Sequence, residues 1–577
     1  MEYALLAVVG IVTIVAVAAF ASKLQVAAPL VLVLVGLGLS LIPAVPALEI
    51  KPEWILMGVL PPILYAAAVN VPLVDFRRNL KAISGLSVVL VIVSSVVIGL
   101  ILSTILPDLS LAAGIALGAV VSPTDAVAAT SIGKRLGMPS RLVSVLEGES
   151  LVNDASALVL LRSAIAATAG AVSLWAVAGD FLFAASVAIA IGLVTGLVTV
   201  RIRAWLKDPV LTTVISFAVP FIAYLPTQSV NASGVLAVVV AGLVTGHQSA
   251  KWFTAQDRIS ERINWRTAQF LLENSVFLLM GLELKSIVGQ VQSDHRIGLI
   301  ATIVLGLLVT VVLIVVRIFF VGGLVWSLRR DERKALANRP RMEQYKERFD
   351  ERTTAVPEPT DPRVVQRRAV ASKSFRRWEA HLDFLEREGL GWRGGAVLAW
   401  SGMRGVVTLA AAQSLPKETP YQPELVLIAF VVAIVTLLLQ GGTLPLVIRL
   451  SRVGGNDKQA MRTQLLELVE EISTVGVSLL DAPDLTTDEG KPFDQAVVER
   501  VRASSLVKVG TETERVDDSS DVGPHEQYRQ LRRRVLDAER DALLDARAAG
   551  SYTSAALARA QQMLDLEESR LDQIDNA

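Results

Sequence analysis

The chain has 577 residues, of which 52% are hydrophobic and 19% are charged, and its net charge is zero. A soluble protein of this length would carry more charge and spread it evenly, so the composition argues against a soluble globular protein. The balanced charge gives no sign of a nucleic-acid partner. The absence of cysteine excludes disulfides, a thiolate nucleophile and a Cys-ligated metal site.

The first apolar run, residues 5–20, begins after Met-Glu-Tyr with no basic segment, and no small-x-small cleavage signal precedes a soluble domain. We therefore interpret it as a membrane helix and not as a signal peptide. The runs 83–106 and 297–328 likewise reach or exceed the roughly 20 residues that cross a hydrocarbon core.

Taken in chain order, the apolar runs and the loops between them predict an all-α polytopic membrane protein. About thirteen transmembrane helices are expected, at 3–21, 27–43, 54–70, 82–105, 111–132, 144–168, 176–200, 208–224, 232–246, 266–282, 297–328, 396–413 and 424–450. The spans 232–246 and 266–282 are short for a full crossing, as in transporters whose helices are broken near the midplane.

The connecting loops differ in positive charge. One alternate set contains Lys23, Arg77, Arg78, Lys81, Lys134, Arg135, Arg141, Arg201, Arg203, Lys207, Lys251, Arg258, Arg262 and Arg266. The other set contains only Lys51, Lys285, Arg296 and Lys417. Because basic loops stay in the cytoplasm, we expect the N-terminus outside and the C-terminus inside.

Two domains are expected. Residues 1–453 form a transmembrane domain that includes a charged cytosolic insertion at 329–393. Residues 454–577 form a small cytosolic helical domain with amphipathic stretches at 461–480 and 525–548. The pattern fits a helical domain with solvated charge, and a regulatory or dimer-supporting role is the alternative.

Ionisable side chains interrupt several of the predicted spans. Each one costs roughly 2.5–3.5 kcal/mol on insertion scales, so such residues usually mark a pathway or a paired site. The candidates are Asp125, Glu147, Glu149, Asp154, Arg162, Glu273, Arg317 and Arg404. With a helical rise of 1.5 Å per residue, four of them lie roughly 10–17 Å from the cytoplasmic ends of their spans, namely Asp125, Asp154, Arg317 and Arg404.

The densest polar segment is Glu147-Gly-Glu-Ser-Leu-Val-Asn-Asp154. Ser150, Asn153 and Asp154 share one helix face because they are three and four residues apart. They present a hydroxyl, an amide and a carboxylate, which are hard ligands suited to a sodium-like ion. Glu149 points roughly 140° away from Asp154 and should face another neighbour. A polar helix–helix contact without an ion is the alternative.

The second segment is Ser122-Pro-Thr-Asp125. A proline inside a span removes a backbone hydrogen bond, and irregular backbone at this depth is tolerated only within protein or beside a water-filled cavity. Thr124 and Asp125 could then offer a hydroxyl, a carbonyl and a carboxylate to a cation. The alternative is a simple proline kink.

The third segment, Ser401-Gly-Met-Arg-Gly405, places an arginine at membrane depth. Since arginine stays ionised, Arg404 must meet carboxylates or helix C-terminal carbonyls, and we interpret it as a structural counter-charge. Arg317 also needs an acid, for which Glu149 is the best candidate. Glu273 is expected to have a structural partner. Arg162 is expected to snorkel and is given no role.

Neither a cofactor nor a resident metal is predicted. The histidines have no ligand spacing, and they fall in loops, the insertion and the tail, at His247, His295, His381 and His525. No Walker A sequence is present, so nothing indicates nucleotide-driven pumping.

At these motifs the chain resembles the monovalent cation/proton antiporter family, which includes bacterial and animal sodium/proton exchangers. The resemblance covers most of residues 1–450, and the tail resembles those of bacterial members. Order and spacing agree as well as content, through Leu60-Pro-Pro-Ile-Leu-Tyr65, Ser122-Pro-Thr-Asp125, Glu147-Gly-Glu-Ser-Leu-Val-Asn-Asp154, Ala232-Ser-Gly-Val-Leu-Ala237 and Ser401-Gly-Met-Arg-Gly405.

The resemblance assigns a role to each residue. It implies that Asp154 binds the cation or the proton in turn, and that Asn153 is a signature of electroneutral exchange. Thr124 and Asp125 match the unwound crossing helix, and Ser150 matches a cation ligand. It further implies a stabilising ion pair of Glu149 with Arg317 and a conformationally important Arg404. The implied fold has inverted repeats and discontinuous crossing helices, in a homodimer with a dimerisation domain and a moving core domain.

One stretch departs from the family pattern. Where many relatives carry an acid after the Leu-Pro-Pro motif, this chain reads Tyr65-Ala66-Ala67. A ligand or gating role of that acid is missing here, which puts in doubt the transfer of ion affinity and pH dependence.

The expected function is exchange of sodium for protons across the plasma membrane, by alternating access at one buried aspartate. Potassium/proton exchange is an alternative, because side-chain identity barely separates the two ions. A cation channel with a cytosolic regulatory tail is an alternative from another class, and its flux would be uncoupled from protons. An enzyme is not expected, because no nucleophile–base set or metal site accompanies the carboxylates.

Overall fold

The computed structural model describes residues 2–23, 27–43, 51–168, 174–206, 208–294, 296–354, 389–453, 457–482, 485–487, 490–506 and 522–575, with single positions between 371 and 386. His295, His381 and much of the charged insertion therefore lie outside the described residues. The regular secondary structure of the described residues is helical, apart from one isolated β-bridge between Thr486 and Pro492. Contacts divide it into two compact units, each described separately below.

The first unit comprises Met1–Trp252, Ser260–Arg329 and Leu390–Gly455. The helices that lie wholly or mostly in it are, in chain order, α1 (Glu2–Lys23), α2 (Ala28–Ser40), α3 (Trp54–Asn70), α4 (Leu73–Arg78), α5 (Leu80–Ile105), α6 (Leu111–Val121), α7 (Ala126–Arg135), α8 (Ser140–Thr168), α9 (Leu174–Leu206), α10 (Pro209–Ser229), α11 (Gly234–Trp252), α12 (Ala255–Leu282), α13 (Leu284–Asp294), α14 (Leu299–Ala337), α16 (Trp392–Trp400), α17 (Val406–Gln413) and α18 (Gln422–Ser451). Helix α15 (Arg339–Thr354) lies between α14 and α16 in the chain and belongs to the second unit.

Seven helical stretches in the described part of the chain are long and apolar enough to cross a membrane, and three shorter apolar helices accompany them. Helices also occupy the other predicted spans, at α11, at α12 and at the pair α16 and α17. The all-helical polytopic architecture predicted from the sequence is therefore confirmed. The sequence missed α13, whose apolar residues Ile287 and Val291 are buried between polar ones.

Helix α14 shows how an apolar helix divides its surface. Ile300 and Phe319 are 79% and 78% exposed, whereas Val309, Leu313 and Arg317 are buried on the inner face. Large apolar side chains facing water would be unfavourable, and the same side chains facing lipid are not. This outer face is suited to lipid, and the inner face carries Arg317 into the protein.

Close packing of α5 against α6 depends on glycine. A Cβ atom on Gly118 would lie 2.6 Å from the Cα of Ser95, so any larger residue would push the backbones apart. Small residues at such crossings are typical of membrane helices, which gain stability from van der Waals contact. The packing fixes α6 and hence the break at its C-terminal end.

Two helices of the first unit are interrupted, and the interruptions meet. Residues 122–125 separate α6 from α7, and residues 401–405 separate α16 from α17. The backbone N–H of Asp125 donates to the carbonyl of Met403 over 2.7 Å, which satisfies polar groups that the breaks leave without helical partners. A Cβ atom on Gly405 would lie 2.7 Å from the Asp125 carboxylate, so this crossing also requires glycine.

The second unit comprises Phe253–Ile259, Arg330–Gly389 and Asn456–Ala577. Besides α15 it contains α19 (Asp457–Leu480), α20 (Gln495–Leu506), α21 (Val522–Ala549) and α22 (Ser554–Asp575). Leu468, Leu543 and Leu564 are buried in one apolar cluster between α19, α21 and α22. The amphipathic stretches 461–480 and 525–548 correspond to α19 and α21, whereas the sequence did not predict α20 and α22.

Candidate functional site

A cavity of about 610 Å³ lies in the first unit, beside the break between α6 and α7. Helices α3, α7, α8, α12 and α17 contribute to its wall, which is mostly apolar. Its polar lining consists of carboxylates, hydroxyls, amides and two basic residues, contributed by Asn70, Thr124, Asp125, Thr130, Ser131, Lys134, Glu147, Ser150, Asp154, Arg266, Gln269, Glu273 and Thr408. Apolar walls with a few convergent polar groups are typical of small-ligand sites.

Asp154 is the least satisfied acid in this wall. It is 8% exposed, and within the described part of the chain its carboxylate receives no hydrogen bond and forms no ion pair. Ser150 lines the same cavity one turn earlier on α8, as their spacing of four residues requires. A buried carboxylate without a fixed partner is costly unless it is neutralised by a proton or a mobile cation.

Asp125 is held at the start of α7. Its carboxylate accepts a hydrogen bond from the backbone N–H of Val127 over 2.8 Å, so it caps the helix and complements the positive end of the helix dipole. Asp125 also repels Asp154 electrostatically across the cavity. The helix break therefore brings together two carboxylates that lie far apart along the chain.

Asn153 and Thr124 contact one another at the edge of the cavity. The Asn153 amide donates to both the carbonyl and the hydroxyl oxygen of Thr124, each over 3.1 Å. The Thr124 hydroxyl in turn donates to Glu149 over 2.7 Å. Asn153 is not part of the cavity lining, whereas Thr124 is, although the Thr124 hydroxyl proton is engaged with Glu149. These hydrogen bonds tie α8 to the break.

Glu149 and Arg317 form a buried ion pair between α8 and α14. The guanidinium donates to both carboxylate oxygens, over 2.5 and 3.0 Å, and also to the carbonyl of Leu398 near the end of α16. Both residues are 1% exposed. A bidentate ion pair with further hydrogen bonds can offset the free-energy cost of removing both charges from water.

Arg404 meets carbonyls and not a carboxylate. Its Nε donates over 3.0 Å to the carbonyl of Val121, the last residue of α6, and its guanidinium also donates to the carbonyl of Gly402. A helix C-terminus has carbonyls without intrahelical donors and a partial negative charge. Arg404 thus holds the end of α6 from the second broken segment.

Three further positions bear on the predictions. Glu273 lines the cavity, and its hydrogen bond comes from Gln269 of its own helix over 2.7 Å. Glu147 also lines the cavity and is paired with Lys134 over 2.7 Å. The residues of Tyr65-Ala66-Ala67, where the chain departs from the family pattern, have different surroundings. Ala67 lies in the cavity wall, whereas Tyr65 is fully buried against Trp265.

The sequence analysis did not predict that Glu147 and Glu273 line a common cavity with Asp154. The available signal was helical spacing: Arg266, Gln269, Glu273, Val276 and Phe277 recur at three or four residues along α12 and all line the cavity. That spacing identifies a shared face, but only the structure shows what the face borders.

Comparison with known proteins identifies the family of the chain. The family model described as sodium/hydrogen exchanger, transmembrane, matches residues 9–450. A relative from Mycobacterium bovis, called an uncharacterized Na(+)/H(+) exchanger, is 30% identical over 98% of this chain and 96% of its own. The sodium, potassium, lithium and rubidium/H(+) antiporter of Bacillus subtilis is 28% identical over 57% of this chain and 51% of its own. The solved sodium proton antiporter of Methanocaldococcus jannaschii gives a TM-score of 0.55 at 17% identity, covering 79% of this chain and 100% of that one.

Proposed function

This chain belongs to the sodium/hydrogen exchanger family, a family of transporters and not of enzymes, and we propose that it exchanges sodium for protons at Asp154 by alternating access. The observation that carries the proposal is the Asp154 carboxylate, which is buried, faces the cavity and has no described partner. Family membership supports cation/proton antiport, and the residue, the ion and the stoichiometry are our proposal.

Competition at one carboxylate is sufficient to couple the two ions. When Asp154 is ionised, a sodium ion neutralises it; when a proton binds, the site has no charge left to hold sodium. An empty site carries an uncompensated negative charge, which makes its movement through an apolar environment unfavourable. The protein therefore changes access only when it is loaded, and exchange follows without a cofactor.

We infer that exchange is electroneutral, one sodium for one proton. Asp154 is preceded by Asn153, a neutral residue whose amide is engaged with Thr124. The acid next nearest on α8, Glu149, is held by Arg317 and does not line the cavity. One carboxylate on this helix thus changes its occupant, and one charge moves in each direction.

The neighbouring residues are assigned supporting roles. Ser150 supplies a hydroxyl oxygen beside Asp154, and Asp125 adds negative charge from the broken helix. Asn153, Thr124 and the pair Glu149–Arg317 hold that break in position, while Arg404 secures the end of α6.

We further propose a plasma-membrane homodimer with the N-terminus outside and the C-terminus in the cytoplasm. The excess of lysine and arginine in one alternate set of loops supports this orientation. Residues 454–577 form a cytosolic helical domain in this proposal, with a regulatory or dimer-supporting role.

Potassium/proton exchange is a second candidate. The Bacillus subtilis relative is named as an antiporter of sodium, potassium, lithium and rubidium. A cavity of about 610 Å³ has room for any of these ions with bound water, so its size does not select the smaller ones.

The test is proton movement in proteoliposomes with a preset pH gradient, to which sodium or potassium is added. We expect wild type to dissipate the gradient on addition of the transported cation, and Asp154→Asn to lose this response entirely. The matched control is Asp208→Asn, which alters an exposed aspartate that caps α10, outside the cavity, and should leave exchange intact.

The outcomes separate the possibilities. Exchange that survives in Asp154→Asn would contradict the single-carboxylate mechanism. Cation flux without proton movement in the wild type would indicate a channel. A response to potassium but not to sodium would replace the proposed ion and leave the mechanism standing.

A further inference from the structure

The acids of the cavity wall differ in how their charge is balanced. Glu147 is paired with Lys134 over 2.7 Å, and Asp125 caps α7 by accepting the Val127 N–H. Among the described residues, Asp125, Asp154 and Glu273 have no basic partner within ion-pair distance, and only Asp125 has the positive end of a helix dipole to offset its charge. Glu273 is therefore the second acid of this wall whose charge the protein leaves uncompensated.

The surroundings of Glu273 leave one of its oxygens available. Gln269, one turn earlier on α12, donates to Oε1 over 2.7 Å, and no described donor reaches Oε2. Arg266 lines the cavity on the same face, two turns before Glu273, and forms no described ion pair with it. Two helical turns span roughly 10.5 Å along the axis, which is too far for a direct contact between most side chains.

Glu273 also faces like charge. It interacts unfavourably with Asp125 across the cavity, as Asp154 does. Asp154, Asp125 and Glu273 thus direct negative charge at one space, from α8, the start of α7 and α12. The basic residues of the lining are Lys134, which is paired with Glu147, and Arg266. Repulsion between carboxylates in a weakly screened space is relieved when a cation lies between them.

We propose that Glu273 is a cation-binding residue of this cavity, which holds an incoming monovalent cation near Asp154 and sets the apparent affinity for it. The proposal rests on the function proposed above and deepens it. Glu273 need not release or accept the exchanged proton, because Asp154 performs the exchange. Its contribution is to binding, so it should act on the apparent KM more than on the maximal rate.

The test is the variant Glu273→Gln, which keeps the shape of the side chain and the possibility of a bond to Gln269. In proteoliposomes we expect the apparent KM for sodium to rise about tenfold, since a charge at close range is lost, while the maximal rate stays within about twofold. Glu418→Gln is the control, because it removes an exposed carboxylate outside the cavity and should leave KM unchanged.

A second variant keeps the test decisive if glutamine disturbs the fold. Glu273→Asp retains the charge and moves it back by one methylene, so we expect a KM between those of wild type and Glu273→Gln. A merely structural Glu273 would lower the maximal rate or the yield and leave KM unchanged, and that result would overturn the inference.

The two proposals fail in different ways. Loss of exchange in Asp154→Asn together with a wild-type KM in Glu273→Gln would remove the role of Glu273 and leave the exchange mechanism intact. Persistent exchange in Asp154→Asn would remove the mechanism itself, and with it the basis for a second binding residue.

Discussion

Two acids on α8, one and a half turns apart, illustrate how surroundings decide the role of a carboxylate. Glu149 is 1% exposed and accepts hydrogen bonds from Arg317 and from the Thr124 hydroxyl. Asp154 is 8% exposed and receives none from the described residues. The two are almost equally buried, so burial does not distinguish them. The region around Glu149 has a fixed cation, and the region around Asp154 has a cavity.

We expect this difference to separate a structural role of Glu149 from the transport role proposed for Asp154. A buried acid with a fixed partner is stable and cannot change its occupant without breaking the pair. A buried acid beside a cavity is unstable alone and is stabilised by whichever cation arrives.

Breaking the fixed pair should have the largest effect. Arg317→Ala leaves Glu149 buried without its counter-charge, and we expect a loss of about 3–5 kcal/mol in stability. Thermal unfolding of the purified protein in detergent measures it as a lower apparent Tm. The double variant Glu149→Gln with Arg317→Met should recover much of the loss, because neutral residues can replace a buried pair.

The control for this prediction is an exposed ion pair. Arg339 and Glu343 are one helical turn apart on α15 and largely exposed, so Arg339→Ala should change stability by less than about 1 kcal/mol. An Arg317→Ala variant as stable as the control would show that the Glu149 pair is not a structural element of the fold.

Removing the unpaired acid, Asp154, should not lower stability as loss of Arg317 does. Asp154→Asn eliminates a buried charge without a partner, so we expect no loss of apparent Tm without sodium. Wild type should gain about 2.7 kcal/mol when sodium reaches a hundred times its Kd, because the ion binds only the folded state. The variant should lack this gain. A sodium-dependent rise that persists in Asp154→Asn would place the ion elsewhere.

Much of this contrast could be anticipated from sequence. Apolar runs marked the positions of the membrane helices, because a hydrocarbon core requires them. Helical periodicity put Glu149 and Asp154 on different faces of α8, and Arg317 needed an acid, for which Glu149 was the best candidate. These inferences depend only on residue types and on their spacing along the chain, both of which can be read from the sequence.

What could not be anticipated depends on contacts distant in sequence. Pro123 indicated one interruption, but no local rule indicates that the backbone N–H of Asp125 there bonds to the carbonyl of Met403 in a second one. Glu273 was expected to have a structural partner, and only the structure shows that its side chain borders the cavity. Helix α13 was not predicted because its few apolar residues lie among polar ones. Only the packed structure shows that Ile287 and Val291 form a buried face.

Weakening the link between the two regions should have a moderate effect. Asn153→Ala removes both hydrogen bonds to Thr124 and leaves the Thr124 carbonyl without that donor. We expect stability to fall by about 1–3 kcal/mol and the exchange rate to fall with it. The ratio of sodium to protons, measured with a membrane-potential dye, should not change. A variant that begins to move net charge would refute the supporting role given to Asn153.

The smallest effect is expected where the cavity wall loses a single neutral ligand. Ser150→Ala removes a hydroxyl that lines the cavity beside Asp154, and we expect the apparent KM for sodium to rise about threefold, as for one net hydrogen bond. Ser163→Ala is a matched control on the same helix, since its hydroxyl donates to the Val159 carbonyl and does not line the cavity. Equal KM values for the two variants would mean that the hydroxyl of Ser150 does not bind the ion. Asp154 would then hold it with water and with carboxylates of the wall alone.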